Sequence, residues 1–317
     1  MHMSAATAAR RRAFRTLHER GCFVIPNPWD AGSARYLQHL GFSALATTSA
    51  GFAFSQGLPD SGGDDELARD RTLAHIAGIT AAVDLPVSAD FMSGFGREPE
   101  DVAGSVTRCV ATGVAGLSIE DSTGDPASPL YDLPAAIERV RAARRAIDRS
   151  GADVLLTARA ECYHVGHPDP LRESVRRLQA YADAGADVLF APGPQHPADI
   201  EALVEAVAPK PLNLLVVRDI GLDVGRIAAL GVRRISVGGA LALAAWTGFI
   251  SAARALKSEG SFAGFASLVP YPEINALFAD RLRRSSNPPD DDWCGRSESL
   301  DPDDVGDIAD EGVGHRG

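Results

Sequence analysis

The chain has 317 residues, of which 45% are hydrophobic and 23% charged, and its 42 acidic and 31 basic side chains give a net charge of −11. This is the composition of an ordinary folded protein with enough chain for one large core, and it excludes collagen-like, coiled-coil and disulfide-scaffold architectures. The acidic balance argues against nucleic acid and anionic membranes as partners, because phosphates repel it.

The first residues carry Arg10, Arg11 and Arg12 with no apolar stretch behind them, so no secretory signal is expected. From Cys22 onward, short apolar runs alternate with longer amphipathic stretches. The runs are Cys22–Pro26, Ala44–Thr48, Pro86–Asp90, Gly116–Glu120, Val154–Arg159, Val188–Ala191, Pro211–Val217 and Arg234–Gly238. They lack in/out alternation, as expected of parallel strands covered on both faces. Between them, Pro99–Thr112, Pro134–Arg149, Pro170–Ala184 and Pro197–Val207 read as helices that begin near a proline. Gly41, Gly113, Gly151, Gly185 and Gly231 follow helix ends, where a left-handed residue is favoured. Eight such units predict an α/β fold, a (β/α)8 TIM barrel, rather than an open doubly wound sheet, which would bring a Gly-rich dinucleotide loop. After the last strand, Ala240–Glu259 and Pro272–Arg284 read as additional helices suited to contacts between subunits.

The chain ends in a segment of different character. Residues 286–317 hold ten acidic side chains against Arg296 and Arg316, a net −8, which leaves −3 for the remainder. Rich in Ser, Pro and Gly, this segment is expected to be an acidic, disordered tail, and residues 1–285 to form one domain. Cys22, Cys109, Cys162 and Cys294 make no CxxC pair, and no run of 18 apolar residues exists, so a cytoplasmic protein with reduced thiols is expected.

Catalytic groups of a barrel sit at the C-terminal ends of its strands. Polar residues there are Asn27, Asp30, Thr47, Thr48, Ser49, Ser88, Asp90, Glu120, Asp121, Thr157, Arg159, Glu161, Asn213, Arg218, Asp219 and Ser236. Asp90, Glu120 and Asp121 gather carboxylates at one rim. Oxygen-only ligands suit a hard divalent cation, Mg2+ or Mn2+. Arg159 supplies a fixed fork for a carboxylate or a developing oxyanion. Metal and arginine together describe a site for a small anionic substrate. Cys162, Tyr163, His164 and His167 follow the fifth strand near the mouth, and Gly238-Gly239 precedes a helix as a phosphate cradle would, although close helix packing explains the pair equally well.

Several stretches resemble the isocitrate lyase/phosphoenolpyruvate mutase superfamily over residues 14–260. They are Pro26-Asn27-Pro28-Trp29-Asp30, Thr47-Thr48-Ser49-Ala50-Gly51 with Gly57-Leu58-Pro59-Asp60, Ser88-Ala89-Asp90-Phe91-Met92-Ser93-Gly94-Phe95-Gly96, Gly116-Leu117-Ser118-Ile119-Glu120-Asp121 and Thr157-Ala158-Arg159-Ala160-Glu161. The resemblance implies Mg2+ at Asp90 and Glu120. It places the substrate against Thr48, Ser49, Ala50, Gly51 and Asn213, and an enolate oxygen at Arg159. It makes Asp60 a catalytic residue, on a segment whose Gly57, Gly62 and Gly63 let it close. Arg159, Asp60 and Glu120 are thus the catalytic candidates. The implied activity is a Mg2+-dependent lyase of a small α-keto or dicarboxylic acid of oxaloacetate type. Alternatives are a phosphoenolpyruvate/phosphonopyruvate mutase or hydrolase, a 2-methylisocitrate lyase, or a weakened metabolite-binding protein. The implied assembly is a helix-exchanged homo-oligomer, a dimer of dimers.

The departures bear on chemistry. Met92 stands where the metal motif carries a second carboxylate. Ser122-Thr123-Gly124-Asp125 replaces the lyase loop with its proton-donating Cys, and Pro192 stands where those lyases place a Glu.

Overall fold

The structure, a computed structural model, describes residues 4–60 and 66–286. Helix α1 (Ala5–Leu17) opens the chain, capped by the Ser4 hydroxyl, which accepts from the Thr7 amide at 3.1 Å. There follow β1 (Phe23–Ile25), α2 (Ala31–His39), β2 (Leu45–Ala46), α3 (Ser49–Ser55), α4 (Glu66–Ala82), β3 (Val87–Asp90), α5 (Pro99–Ala111), β4 (Gly116–Glu120), α6 (Leu133–Arg149), β5 (Leu155–Arg159), α7 (Pro170–Asp183), β6 (Val188–Phe190), α8 (Pro197–Val207), β7 (Leu212–Leu215), α9 (Val224–Ala229) and β8 (Arg234–Ser236). Helix α10 (Ala240–Glu259) and a 3-10 turn at Ala263–Phe265 complete a compact unit ending at Val269, and α11 (Tyr271–Ser286) belongs to a second unit that begins at Pro270. Residues 287–317 of the expected acidic tail, Cys294 among them, lie outside the described residues, as do Gly62 and Gly63.

All eight strands fall inside their expected runs, and all pair in parallel in the order β1-β8-β7-β6-β5-β4-β3-β2. The ring closes where the Ala46 amide donates to the Pro26 carbonyl at 3.0 Å. This is the expected (β/α)8 barrel. Helices α5, α7 and α8 start on Pro99, Pro170 and Pro197, whose missing N–H costs nothing in a first helical turn. The five helix-ending glycines all have positive φ, from 65° at Gly151 to 102° at Gly185.

Strand geometry sorts side chains to two sides. On β4, Leu117 and Ile119 join the helix-side core with Val106 and Val140. Gly116 and Ser118 alternate with them and face inward. Below, α1 stoppers the barrel: Phe14 is fully buried among Ile25, Ala44, Leu155 and Val188. A Cβ on Gly116 would stand 2.7 Å from Phe14 Cε1, so the stopper requires glycine there. Arg11 fixes the helix from its other side, donating to the carbonyls of Val114 at 2.9 Å and Val110 at 3.0 Å.

Gly116→Ala is expected to destabilise the protein by about 1–3 kcal/mol through overpacking. Phe14→Leu should recover part of that loss in the double variant. Urea denaturation of the four proteins checks both, and additive losses would contradict the contact.

Candidate active site

A cavity of about 170 Å3 lies inside the upper barrel, lined by residues from the ends of most strands. Its rim is organised by Arg159 at the end of β5. Nη1 of Arg159 lies 2.8 Å from Asp90 Oδ1 and 3.2 Å from Glu120 Oε2, and Nε lies 2.8 Å from Glu161 Oε1. The Phe190 ring packs 5.2 Å from the guanidinium carbon.

Three carboxylates thus surround one guanidinium, and negative charge is in surplus. Burial raises the pKa of Glu120, the neighbouring Glu161, Asp90 and Asp121 raise it further, and Arg159 opposes them. Glu161 is raised as well, again chiefly by burial. Burial pulls Arg159 down, yet its three carboxylates outweigh this and hold it above the ordinary arginine value.

Asp90 is held from two sides. Its Oδ2 accepts from the Ser49 amide at 2.9 Å, and its own amide donates to Thr47 Oγ1 at 2.9 Å. Thr48 caps α3 by accepting from the Gly51 amide at 3.2 Å. Among the backbone amides of the expected substrate-binding residues Ser49, Ala50 and Gly51, those of Ser49 and Gly51 therefore already have acceptors. Gly51 does not line the cavity: a Cβ there would stand 2.6 Å from Thr48 Cγ2 and 2.9 Å from Trp29 Cβ, so its role is packing. Asp60 lines the mouth. It remains solvent-exposed, but burial of its carboxyl first and Asp90 second raise its pKa, while Arg159 and His164 lower it. Asn213 also lines the cavity, donating to Ser236 Oγ at 2.9 Å.

The donor set fits a divalent cation of the Mg2+ class. Asp90 and Glu120 converge on one cationic nitrogen, and their charge exceeds what Arg159 supplies. Among the described residues no three His, Cys, Asp or Glu side chains gather as a complete metal cage. A hard ion held by one or two carboxylates, with water and substrate as its other ligands, matches this arrangement.

Asp121 departs from the sequence expectation. It lies off the cavity lining and turns toward α7, whereas Glu120, also off the lining, reaches the site through Arg159. Asp121 is 3% exposed, accepting from the Glu161 amide at 2.9 Å, Arg177 Nη1 at 3.0 Å and the Tyr181 hydroxyl at 2.5 Å. It braces β5 rather than joining a metal site. The phosphate cradle at Gly238 is also occupied, since Asn27 Oδ1 accepts from the amides of Val237 and Gly238, both at 2.9 Å. Met92 adopts φ 50° and packs its side chain on the core, and its carbonyl accepts from the Glu120 amide at 2.9 Å. His164 lines the cavity. Cys162 is fully buried, Tyr163 donates to Asp199 at 3.1 Å, and His167 Nδ1 accepts from the Asp169 amide.

Three contributors were not assigned roles by sequence. Glu161 is legible as the next inward position after Arg159. Asn27 stands at a strand end. Arg139 gives no sequence signal: it reaches from α6 to the carbonyls of Ser93 at 2.6 Å, Gly96 at 2.7 Å and Arg97 at 2.5 Å, fixing the loop beyond Asp90.

Comparison with known proteins bears on this geometry. Residues 14–257 match the sequence profile of phosphoenolpyruvate phosphomutase. A crystal structure from Burkholderia cenocepacia, provisionally described as a lyase/mutase, is 46% identical with TM-score 0.82, covering 87% of this chain and 98% of that one. Oxaloacetate decarboxylase of Paraburkholderia xenovorans is 30% identical over 63% of this chain and 67% of its own. A phosphonopyruvate hydrolase solved with oxalate and Mg2+ is 26% identical with TM-score 0.76, over 87% of this chain and 97% of that one.

Two outcomes follow from the rim. Asp121→Ala leaves the buried Glu161 amide and Tyr181 hydroxyl without their acceptor, while Arg177 keeps Glu173 at 2.7 Å, and should cost about 1–3 kcal/mol in urea denaturation; an unchanged stability would contradict the brace. Glu120 has its folded pKa raised, so its contribution to stability is complete below the unfolded value of 4.5 and is lost as pH rises toward its folded value. Metal-free protein should therefore lose melting temperature between pH 5 and pH 8 more steeply than Glu120→Gln does. Equal slopes would contradict the assignment.

Proposed function

The chain belongs to the phosphoenolpyruvate phosphomutase family of the isocitrate lyase/phosphoenolpyruvate mutase superfamily, and from that premise we propose that it is a Mg2+-dependent lyase that cleaves the C–C bond one carbon removed from the keto group of a small α-keto dicarboxylic acid, so that the electron pair is left as an enolate, with oxaloacetate decarboxylation as the leading reaction. The observation that carries this reading is the surplus of carboxylate around the Arg159 guanidinium at the end of a small barrel cavity.

Asp90 and Glu120 would hold the ion. When bound, it supplies Lewis-acid polarisation of the keto oxygen and cancels the charge surplus. Arg159 is clamped by Asp90, Glu120 and Glu161, so its fork is fixed before substrate arrives and needs no reorganisation to hydrogen-bond a developing oxyanion. Decarboxylation breaks the bond to the second carboxyl. CO2 leaves, the electron pair passes into an enolate, and a proton at carbon completes pyruvate. The loop of Ser122-Thr123-Gly124-Asp125 offers no Cys or His for that proton. Asp60, whose acid form is favoured by burial and by Asp90, is placed at the mouth to hold it. Thr48, Ser49 and Ala50 orient the substrate carboxylate, and Asn213 its far end.

A second reading is a metabolite-binding protein of little turnover, for which the observation is Met92. The left-handed backbone there tolerates Asp well.

The assembly reading is a homo-oligomer, a dimer of dimers formed through α10. Phe249 is 61% and Leu243 51% exposed on that helix, with Trp246 edge-on to Phe249 at 5.3 Å. Apolar exposure of this kind marks an interaction surface.

With oxaloacetate and Mg2+, pyruvate should form, and Arg159→Lys should lower kcat/KM by about 100- to 1000-fold. Full activity in Arg159→Lys, or a wild type that is silent while Met92→Asp is active, would overturn the lyase reading. Phe249→Glu should reduce the mass measured by light scattering, and an unchanged mass would contradict the assembly.

A further inference from the structure

Two guanidiniums line the cavity, and their surroundings are opposite. Arg159 at the rim faces three carboxylates. Arg234, at the start of β8, is 5% exposed and forms none of the ion pairs found among the described residues. Its partners are neutral: Asn213 Oδ1 at 2.7 Å from Nε, Thr157 Oγ1 at 3.1 Å from Nη2, and His18 Nε2 at 3.4 Å from Nη1. His18 can accept there because its Nδ1 donates to the Phe14 carbonyl at 2.8 Å, and burial and Arg234 itself hold its pKa down at about 3. The neutral shell uses three of the five donors an arginine carries.

A buried cation without a counter-charge is costly, since the guanidinium has left water and three neutral partners replace only part of its hydration. Burial alone pulls Arg234 down to about 9, with no carboxylate to offset it. At neutral pH it still carries its charge. The lining also carries Ser88, Ser118, Asn213 and Ser236, at barrel positions where branched aliphatic residues are common.

We infer that Arg234, with Asn213 and Ser236, forms an anion subsite on the cavity floor that takes the second carboxylate of a dicarboxylate ligand whose other end lies at the Asp90–Glu120 rim. The spacing suits this. Thr157, which touches Arg234, and Arg159 stand two residues apart on β5, about 6.6 Å along a strand, a gap that a four- or five-carbon diacid bridges. The acidic rim draws a metal and the cationic floor draws an anion, so the cavity is polarised along its depth. This deepens the lyase reading and rests on it for the rim end of the ligand. It also gives the preference for diacids a residue to rest on, because a monoacid leaves the floor charge uncompensated.

The test uses two stable acids that share a 2-hydroxycarboxylate end. L-malate has a second carboxylate and L-lactate has none. Calorimetric titration of the full-length protein with Mg2+ should show malate binding about 10- to 100-fold tighter, the range for a charge-assisted hydrogen bond of ~1.5–3 kcal/mol. In Arg234→Met the malate-to-lactate ratio should fall to about one, and Arg234→Lys should restore part of it. Equal affinities in the wild type, or a ratio that survives in folded Arg234→Met, overturns the subsite. Should Arg234→Met fail to fold, a bromide soak of wild-type crystals decides: anomalous signal within hydrogen-bonding range of Arg234 supports the subsite, and its absence overturns it. The two readings fail differently. Mg2+-dependent but equal binding of both acids removes the floor subsite alone. Bromide at Arg234 with no Mg2+-dependent binding of either acid supports the subsite and removes the metal-dependent reading.

Discussion

The site depends on one unbalanced charge arrangement, the gathering of Asp90, Glu120 and Glu161 around the single guanidinium of Arg159. Like carboxylates repel strongly in a low-dielectric setting, and one arginine cannot satisfy three of them. The arrangement persists because the rest of the barrel holds each member in place. The Ser49 amide grips Asp90, and Met92 ties down the Glu120 backbone. Asp121 accepts from the backbone of Glu161 and is itself neutralised by Arg177 and Tyr181. Stability invested in these braces preorganises a place where positive charge is welcome.

The braces lie mostly in the shell between strands and helices. Arg139, stacked on Tyr131 at 4.0 Å, gathers the carbonyls of the loop beyond Asp90. Arg11 does the same for carbonyls at the end of α5 and in the turn before β4. These guanidiniums substitute for backbone pairing where the chain leaves regular structure, since buried carbonyls need donors. The catalytic candidates then rest on rigid strand ends rather than on loops, apart from Asp60.

Sequence carried the architecture far because its signals are local. A glycine past each helix, a proline at helix starts and uniformly apolar strand runs need no knowledge of distant residues, and the strand runs contained every observed strand. Asp90 and Arg159 were legible because strand ends of a barrel are where chemistry sits, and the family motifs pointed to the same residues. What sequence could not give was the side to which a strand-end residue turns. Glu120 and Asp121 are adjacent carboxylates, yet one joins the rim and the other a buried brace, a distinction fixed by strand alternation against α7. Arg139 and Arg234 were illegible for a related reason. Each acts on groups tens of residues or more away, Ser93 in one case and Thr157 in the other, and nothing near them in the chain announces it.

The seam of the barrel has a consequence for synthesis. Phe23 on β1 pairs with Arg234 on β8, and the Asn27 side chain reaches Val237 across 210 residues. Closure therefore waits for almost the whole barrel to leave the ribosome. Strand β1 emerges long before β8, the partner it needs. Such long-range pairing is slow relative to local helix formation. During translation the nascent sheet has an open edge at β1, and a buried arginine of the finished protein is still in water. Any chaperone engaged with this chain would have its longest-lived target at β1, and truncation before β8 would leave that edge without its partner.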